Sequence, residues 1–235
     1  MQAREGSARL PQKVLLKILG KSVTELAVER LRRVQDIDNI ILVTGEKEKN
    51  EKLVQEAERI GIPYFCGSED NVLDRFYQAA KVFQPQAIIR VTGDCPLIDA
   101  TILNEGLTVF KEGNYDIVGN TRVRTYPDGM DFEVFSSAAL ATAWQKDLSR
   151  LHPTQYMWRE KEFRIRDITR TPNLSHMRLT LDYAEDFTLI KAVYEHLYPQ
   201  KQDFSMEDIL RFLEVNPQLL EGNRKYIKLD YGLGE

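Results

Sequence analysis

The chain has 235 residues, enough to bury one large core but short for two independent domains. With 43% hydrophobic and 29% charged residues and a formal net charge of −4, it has the balance of an ordinary globule, and it lacks the basic surplus that a general nucleic-acid binder needs. Two cysteines, Cys66 and Cys95, are too few for a disulfide scaffold, and no signal peptide or membrane-spanning run is visible, so a cytoplasmic protein with free thiols is expected.

The first thirteen residues have neither helical nor strand period. Arg4, Arg9 and Lys13 surround Gly6, Ser7 and Pro11 there. Glycine lets a backbone approach a ligand, serine adds a donor, and Arg and Lys grip phosphate oxygens. A basic loop can equally be a solvated surface, and composition leaves both readings open. An apolar run over 14–19 ends at Gly20. Apolar positions at helical spacing predict a helix over 23–34. The β-branched run 39–44 reads as a buried strand, followed by a charged helix over about 46–60 that Gly61 terminates. A strand at 62–66 precedes a helix over 71–83 with Ser68 as its expected N-cap. The run 87–92 is the next strand and empties into Gly93-Asp94-Cys95-Pro96. Asp99 is expected to cap a helix to about Lys111, and 116–120 reads as a strand.

Tyr126-Pro127-Asp128-Gly129 is a turn signal. The alternation over 130–135 predicts a half-buried strand with Asp131 and Glu133 on one face. Ser136 is placed to cap a helix carrying Trp144. Strands are expected at 163–168 and 177–181, then a helix over about 184–197, and a capping box Ser205-x-x-Asp208 opens a last helix that Asn216-Pro217 stops. His152, Trp144 and Trp158 read as packed or surface helix residues. Strands alternating with helices imply a mostly parallel sheet covered on both faces, with an antiparallel excursion in the middle. Ligands in such sheets bind beyond the carboxyl ends of the strands. Asp94 and Asp182 both follow strand candidates there, facing the basic loop. Each has an ordinary alternative, a turn residue for Asp94 and an N-cap for Asp182. Together with the loop they suit Mg²⁺ on a triphosphate, since Mg²⁺ takes one or two carboxylates plus phosphate oxygens and water.

The order of residues in Ala3-Arg4-x-Gly6-Ser7-x-Arg9-Leu10-Pro11-x-Lys13 resembles the signature loop of the CMP-sugar cytidylyltransferases, and within that superfamily the spore coat polysaccharide biosynthesis protein F type. The stretch from Arg90 through Gly93-Asp94-Cys95-Pro96 to Asp99 looks like the second family motif, and Leu179-Thr180-Leu181-Asp182 through Asp186-Phe187 the late one. The resemblance implies a Rossmann-like three-layer α/β sandwich of the nucleotide-diphosphosugar transferase (GT-A-like) type, in a single domain over 1–235 with an antiparallel dimerisation and acceptor arm at about 120–135. It implies an Mg²⁺-dependent transfer of CMP from CTP to a sugar, expected to be an acidic one, with release of pyrophosphate, in a homodimer that binds neither nucleic acid nor membrane. Carried onto this sequence, Arg4, Lys13 and Asp94 would be catalytic. Gln2, Ala3, Arg4, Gly6, Ser7, Arg9, Lys13, Ser68 and Asp94 would hold the nucleotide, with Gln2 and Ala3 meeting the base through backbone. Asp94 and Asp182 would hold Mg²⁺, and Asp131, Glu133 and Arg150 would meet the acceptor sugar.

Four departures from the family carry expectations of their own. Relatives have an apolar strand before the basic loop, whereas this sequence begins at Met1, so unpaired neighbours and a groove in the core are expected. Glu5 is expected to place an anion where the triphosphate would lie. Gln12 replaces a glycine, which matters where φ must be positive. Cys66 stands where relatives have an arginine. These departures leave two further readings beside the transferase, a glycosyltransferase on the same fold and a catalytically impaired nucleotide-binding homologue.

Overall fold

The computed structural model describes residues 1–149 and 152–227. After the basic loop comes a 3-10 turn, Lys13–Leu15, and then a hairpin of β1 (Lys17–Ile18) and β2 (Lys21–Ser22). Its turn residues Leu19 and Gly20 have φ of 52° and 80°, the left-handed geometry that matches the twist of a two-residue hairpin. The hairpin breaks the apolar run 14–19 that the sequence left unassigned. Helix α1 (Val23–Leu31) follows, capped by the Ser22 hydroxyl, which accepts from the Glu25 amide.

The alternation then proceeds as β3 (Leu42–Thr44), α2 (Glu51–Arg59), β4 (Tyr64–Cys66), α3 (Val72–Phe83), β5 (Ala87–Arg90), α4 (Ala100–Glu112) and β6 (Ile117–Gly119). It continues with β7 (Glu133–Ser136), α5 (Ser137–Lys146), α6 (Gln155–Arg159), β8 (Ile165–Asp167), α7 (Ala184–Leu197), α8 (Met206–Glu214) and α9 (Gln218–Asn223). Asp99, Ser136 and Ser205 cap their helices as their positions predict. Ser68 does not cap α3. Asn71 does, accepting from the Asp74 amide, while Ser68 accepts from Asn71 one turn earlier.

Two sheet halves form, β3–β4 on one side and β5–β7–β6–β8 on the other. Residues 1–3 join them. The Gln2 amide donates to Val91 and the Gly93 amide to Gln2, while the Val43 amide donates to Met1 and the Ala3 amide to Val43. Gly93 makes this approach possible, because a Cβ there would lie 2.6 Å from that of Ala3. Within the two halves and the bridges through Gln2 the pairings are parallel except those of β7, which runs antiparallel between β5 and β6. Below residues 1–3 the halves diverge around an apolar cavity of about 660 Å³ lined by Ile41, Val43, Phe76, Ile89, Val91 and Leu103. Beside this cavity β3 is shorter than the predicted 39–44. Residues 39–41 border the cavity instead of a partner strand. One apolar cluster, with Leu26, Leu103, Leu181 and Ile190, packs on one face of the sheet, and a second, with Leu73, Phe76, Leu140 and Trp158, packs on the other.

Two strand expectations are corrected. Strand β7 is buried on both faces, not half-buried, because Glu133 lies under Arg90 of the neighbouring β5 and needs no solvent. Residues 133–135 are therefore interior strand and not part of a projecting arm. Residues 177–181 form no strand. They run extended, exchanging backbone bonds with Asp128 and donating from Leu181 to the Asp94 carbonyl at 2.8 Å.

Candidate active site

A second cleft, about 600 Å³, opens at the carboxyl ends of β3 and β5 and of residues 1–3. Gln2, Ala3, Arg4, Gly6, Ser7, Arg9, Lys13, Asp94 and Asp182 all line it. The topology brings them together: residues 1–3 feed the basic loop over the sheet end, β5 delivers Asp94, and the extended 177–181 segment delivers Asp182 beside it. The loop is braced locally, since the Ser7 hydroxyl accepts from Leu10 and the Lys13 amide donates to the Leu10 carbonyl.

Lys13 is the centre of the charge arrangement. Its Nζ lies 2.6 Å from Asp94 Oδ2 and 2.7 Å from Asp182 Oδ1, with the side chain only 11% exposed. Burial works to lower the pKa of this ammonium, but the two carboxylates outweigh it and raise it above the ordinary lysine value. Asp182 also meets Arg9 at 3.0 Å and Arg178 at 3.1 Å. Burial would raise its carboxyl, and Lys13, Arg178 and Arg9 together hold it below the usual range. Asp182 is not the N-cap of α7. Asp186 takes that work, its carboxylate accepting from the amides of both Asp182 and Tyr183, so the Asp182 side chain is left to face the cleft.

Arg178, which sequence reasoning did not single out, sets this corner. It is buried, and it reaches Asp128, Asp182 and Asp186 at 2.9, 3.1 and 3.0 Å. Arg124 bonds both Asp128 and Asp131, so a chain of ion pairs runs from Asp131 to Asp182. Asp131 is thus held by Arg124 and does not line the cleft; burial raises its carboxyl in spite of that partner. Tyr183 was also missed. Its ring stacks on Tyr226 at 3.6 Å, and Arg9 lies 5.1 Å above it. Arg75 lines the cleft too, with its guanidinium buried and Nε without a partner among the described residues. Sequence reasoning expected Ser68 to hold the nucleotide, but it did not single out this arginine seven positions on.

Other expectations are corrected. Glu5 does not face the cleft. Its carboxylate accepts from the Leu53 amide in the first turn of α2, where the positive end of the helix favours an anion. Ser68 is absent from the cleft wall. Glu133 cannot meet a sugar: it is 1% exposed and accepts from Arg90, Thr121, Thr154 and Trp158 at 2.6–2.8 Å. Burial would raise its carboxyl, but Arg90 and the other donors hold it at about 2. Gln12 does adopt positive φ, 53°, the strained position its departure from glycine raised. Cys66 ends β4, half-buried, and burial pushes its thiol up. Arg150 lies outside the described residues.

Among the described residues no cluster of three or more metal-ligating side chains forms. The Asp94–Asp182 pair nevertheless fits a divalent cation, because both carboxylates already bond one ammonium, and Mg²⁺ needs few protein ligands when phosphates supply the rest. The cations Arg4, Arg9, Lys13 and Arg75, with the Asp94–Asp182 pair on the same cleft, can grip a polyphosphate and place a reacting phosphorus. No helix among the described residues is long and apolar enough to cross a membrane.

Residues 1–211 match the cytidylyltransferase family. The spore coat polysaccharide biosynthesis protein SpsF of Bacillus subtilis is 31% identical over 92% of this chain and 93% of its own length. A 3-deoxy-manno-octulosonate cytidylyltransferase of Geobacter sulfurreducens is 27% identical over 54% of this chain and 50% of its own. A cytidylyltransferase structure from Leptospira borgpetersenii superposes with a TM-score of 0.87 at 29% identity, covering 93% of this chain and 94% of that one.

Proposed function

The chain belongs to the cytidylyltransferase family, and on that premise we propose that it joins CTP to a sugar bearing a carboxylate, giving a CMP-sugar and pyrophosphate. The observation that carries the reading is the convergence of Arg4, Arg9 and Lys13 with Asp94 and Asp182 on one cleft. The similarity to a relative named for 3-deoxy-manno-octulosonate supports an acidic acceptor, and that to SpsF supports a place in polysaccharide synthesis.

In this reaction the anomeric hydroxyl of the sugar attacks the α-phosphorus of CTP. The hydroxyl's proton passes to solvent, the new P–O bond forms, and the bond from the α-phosphorus to the bridging oxygen breaks, its electron pair leaving with the pyrophosphate. The protein's part is positioning and charge neutralisation. Arg4, Ser7, Arg9 and Lys13 hold the phosphates. The amide and carbonyl of Gln2 and the amide of Ala3 are engaged in the sheet, so the Ala3 carbonyl is the backbone group left for the cytosine amine. Mg²⁺ bound by Asp94 and Asp182 would neutralise charge developing on the phosphates. Arg178 keeps Asp182 aimed at the cleft.

The test begins with thermal unfolding in CTP, UTP, GTP and ATP, with and without Mg²⁺. A ligand at about one hundred times its dissociation constant adds about 2.7 kcal/mol of stability. The expected result is a shift with CTP that needs Mg²⁺, followed by pyrophosphate release with a sugar acid and its loss in Asp94→Ala. Sugar transfer from a CMP-sugar without pyrophosphate formation would instead identify a glycosyltransferase. A folded protein indifferent to every nucleotide would remove the transferase reading.

A further inference from the structure

Lys13 occupies the one place from which a single cation can touch both Asp94 and Asp182. We propose that its ammonium is the resident cation of this pair, that a divalent cation can take the pair only by displacing it, and that nucleotide phosphates accept the displaced ammonium. Loading of metal and nucleotide is then coupled through one side chain. The proposal rests on the transferase reading for the phosphate, but its first half concerns only Lys13 and the two carboxylates.

Geometry carries the argument. The ammonium sits 2.6 and 2.7 Å from the two carboxylates. Asp94 and Asp182, the residues that would hold Mg²⁺, are the carboxylates the ammonium already bonds, so a divalent cation held by them would compete with Nζ for the same oxygens. Two cations do not share those oxygens, because their repulsion at such separations is large. Among the described residues Lys13 is the ion-pair partner of Asp94, whereas Asp182 keeps Arg9 and Arg178 when the ammonium leaves.

The chain also decides how Lys13 can move. Its backbone is held, with the amide on the Leu10 carbonyl, the Leu16 amide on its own carbonyl, and Thr24 bonded to the Val14 carbonyl at 2.8 Å. Exchange is therefore a swing of the four-carbon stem and not a loop movement. In the free protein that swing gives up two charge-assisted bonds with nothing to replace them. Phosphate oxygens lodged against Ser7, Arg4 and Arg9, which line the same cleft, offer the ammonium new partners. Linkage then requires that nucleotide tighten metal and metal tighten nucleotide by the same factor.

The test reads metal binding in the absence of nucleotide, so it stands apart from the CTP screen. Mn²⁺ binding is measured by electron paramagnetic resonance for the wild type, Lys13→Met, and Lys13→Met with Asp94→Asn, each checked by circular dichroism for native helix content. Removing the competing ammonium is expected to tighten Mn²⁺ by roughly tenfold or more, and Asp94→Asn is expected to abolish the gain. A second measurement needs only the wild type. Lys13 acetylation by acetic anhydride, read by peptide mass spectrometry, is expected to be slow in the free protein and several-fold faster at the highest Mn²⁺ concentration the fold tolerates. Equal or weaker Mn²⁺ binding in a folded Lys13→Met, or Lys13 labelling that Mn²⁺ leaves unchanged, would overturn the proposal. If both results hold while CTP gives no thermal shift, the exchange stands and the choice of nucleotide fails.

Discussion

Replacing Glu133 with glutamine keeps the shape of a buried side chain and removes its charge. Four donors converge on that carboxylate, from Arg90, Thr121, Thr154 and Trp158. In the variant the Arg90 guanidinium loses its counter-charge, and an amide NH₂ is forced against donors. The carboxyl falls from an ordinary 4.5 to about 2 in the folded chain. At roughly 1.4 kcal/mol per pH unit, that difference makes the charged form worth about 3 kcal/mol to the fold. The residue is essentially unexposed, so solvent screening does not reduce this figure. It also agrees with the roughly 3–5 kcal/mol typical of breaking one partner of a buried ion pair. Because the folded pKa is depressed, the contribution is complete above about 4.5 and fades as pH falls toward 2. Urea unfolding at pH 7 is therefore expected to show Glu133→Gln about 3 kcal/mol less stable, with the gap narrowing to about 1 kcal/mol near pH 3. The KM for the sugar, measured where both proteins are folded, is expected to be unchanged. A cost under about 1 kcal/mol at pH 7, or a gap that does not narrow with acid, would refute the buried-anion reasoning.

Gln12→Gly relieves a left-handed residue and is expected to raise stability by a net of about 0.5 kcal/mol, the strain relief exceeding the added chain entropy; a lower urea midpoint would contradict it. Glu5→Ala removes an acceptor from the first turn of α2 and is expected to cost about 1 kcal/mol while leaving the CTP dissociation constant unchanged. Tighter CTP binding in that variant would return Glu5 to the phosphate site. Arg178→Met leaves Asp128, Asp182 and Asp186 without their shared cation and is expected to cost at least about 3 kcal/mol by denaturant unfolding. Near-native stability would mean that the three acids find other partners.

The layer order, three of the helix caps and the candidate acids Asp94 and Asp182 are local matters, and they were legible in the residues. Capping at Asp99, Ser136 and Ser205 depends on bonds spanning two or three positions, and a buried parallel strand declares itself as a short apolar run. The basic loop and Asp94 stood out through an order of residues that resembles the family's motifs, whereas the residue types alone left a solvated surface and a turn open. What depends on distant partners was not legible. Glu133 looked like a solvent-facing acid by its alternation, and only its pairing with Arg90, 43 positions away, makes it an interior one. Glu5 looked like a threat to the phosphate until the fold set it at the N-terminus of α2, 48 positions on from it at Leu53. Asp182 could have been a cap, and Asp186 freed it. Charge and periodicity are properties of neighbouring residues, so the sequence carries them directly. The partner that neutralises a charge is chosen by three-dimensional packing, and that choice decides whether an acid holds the structure or faces the cleft.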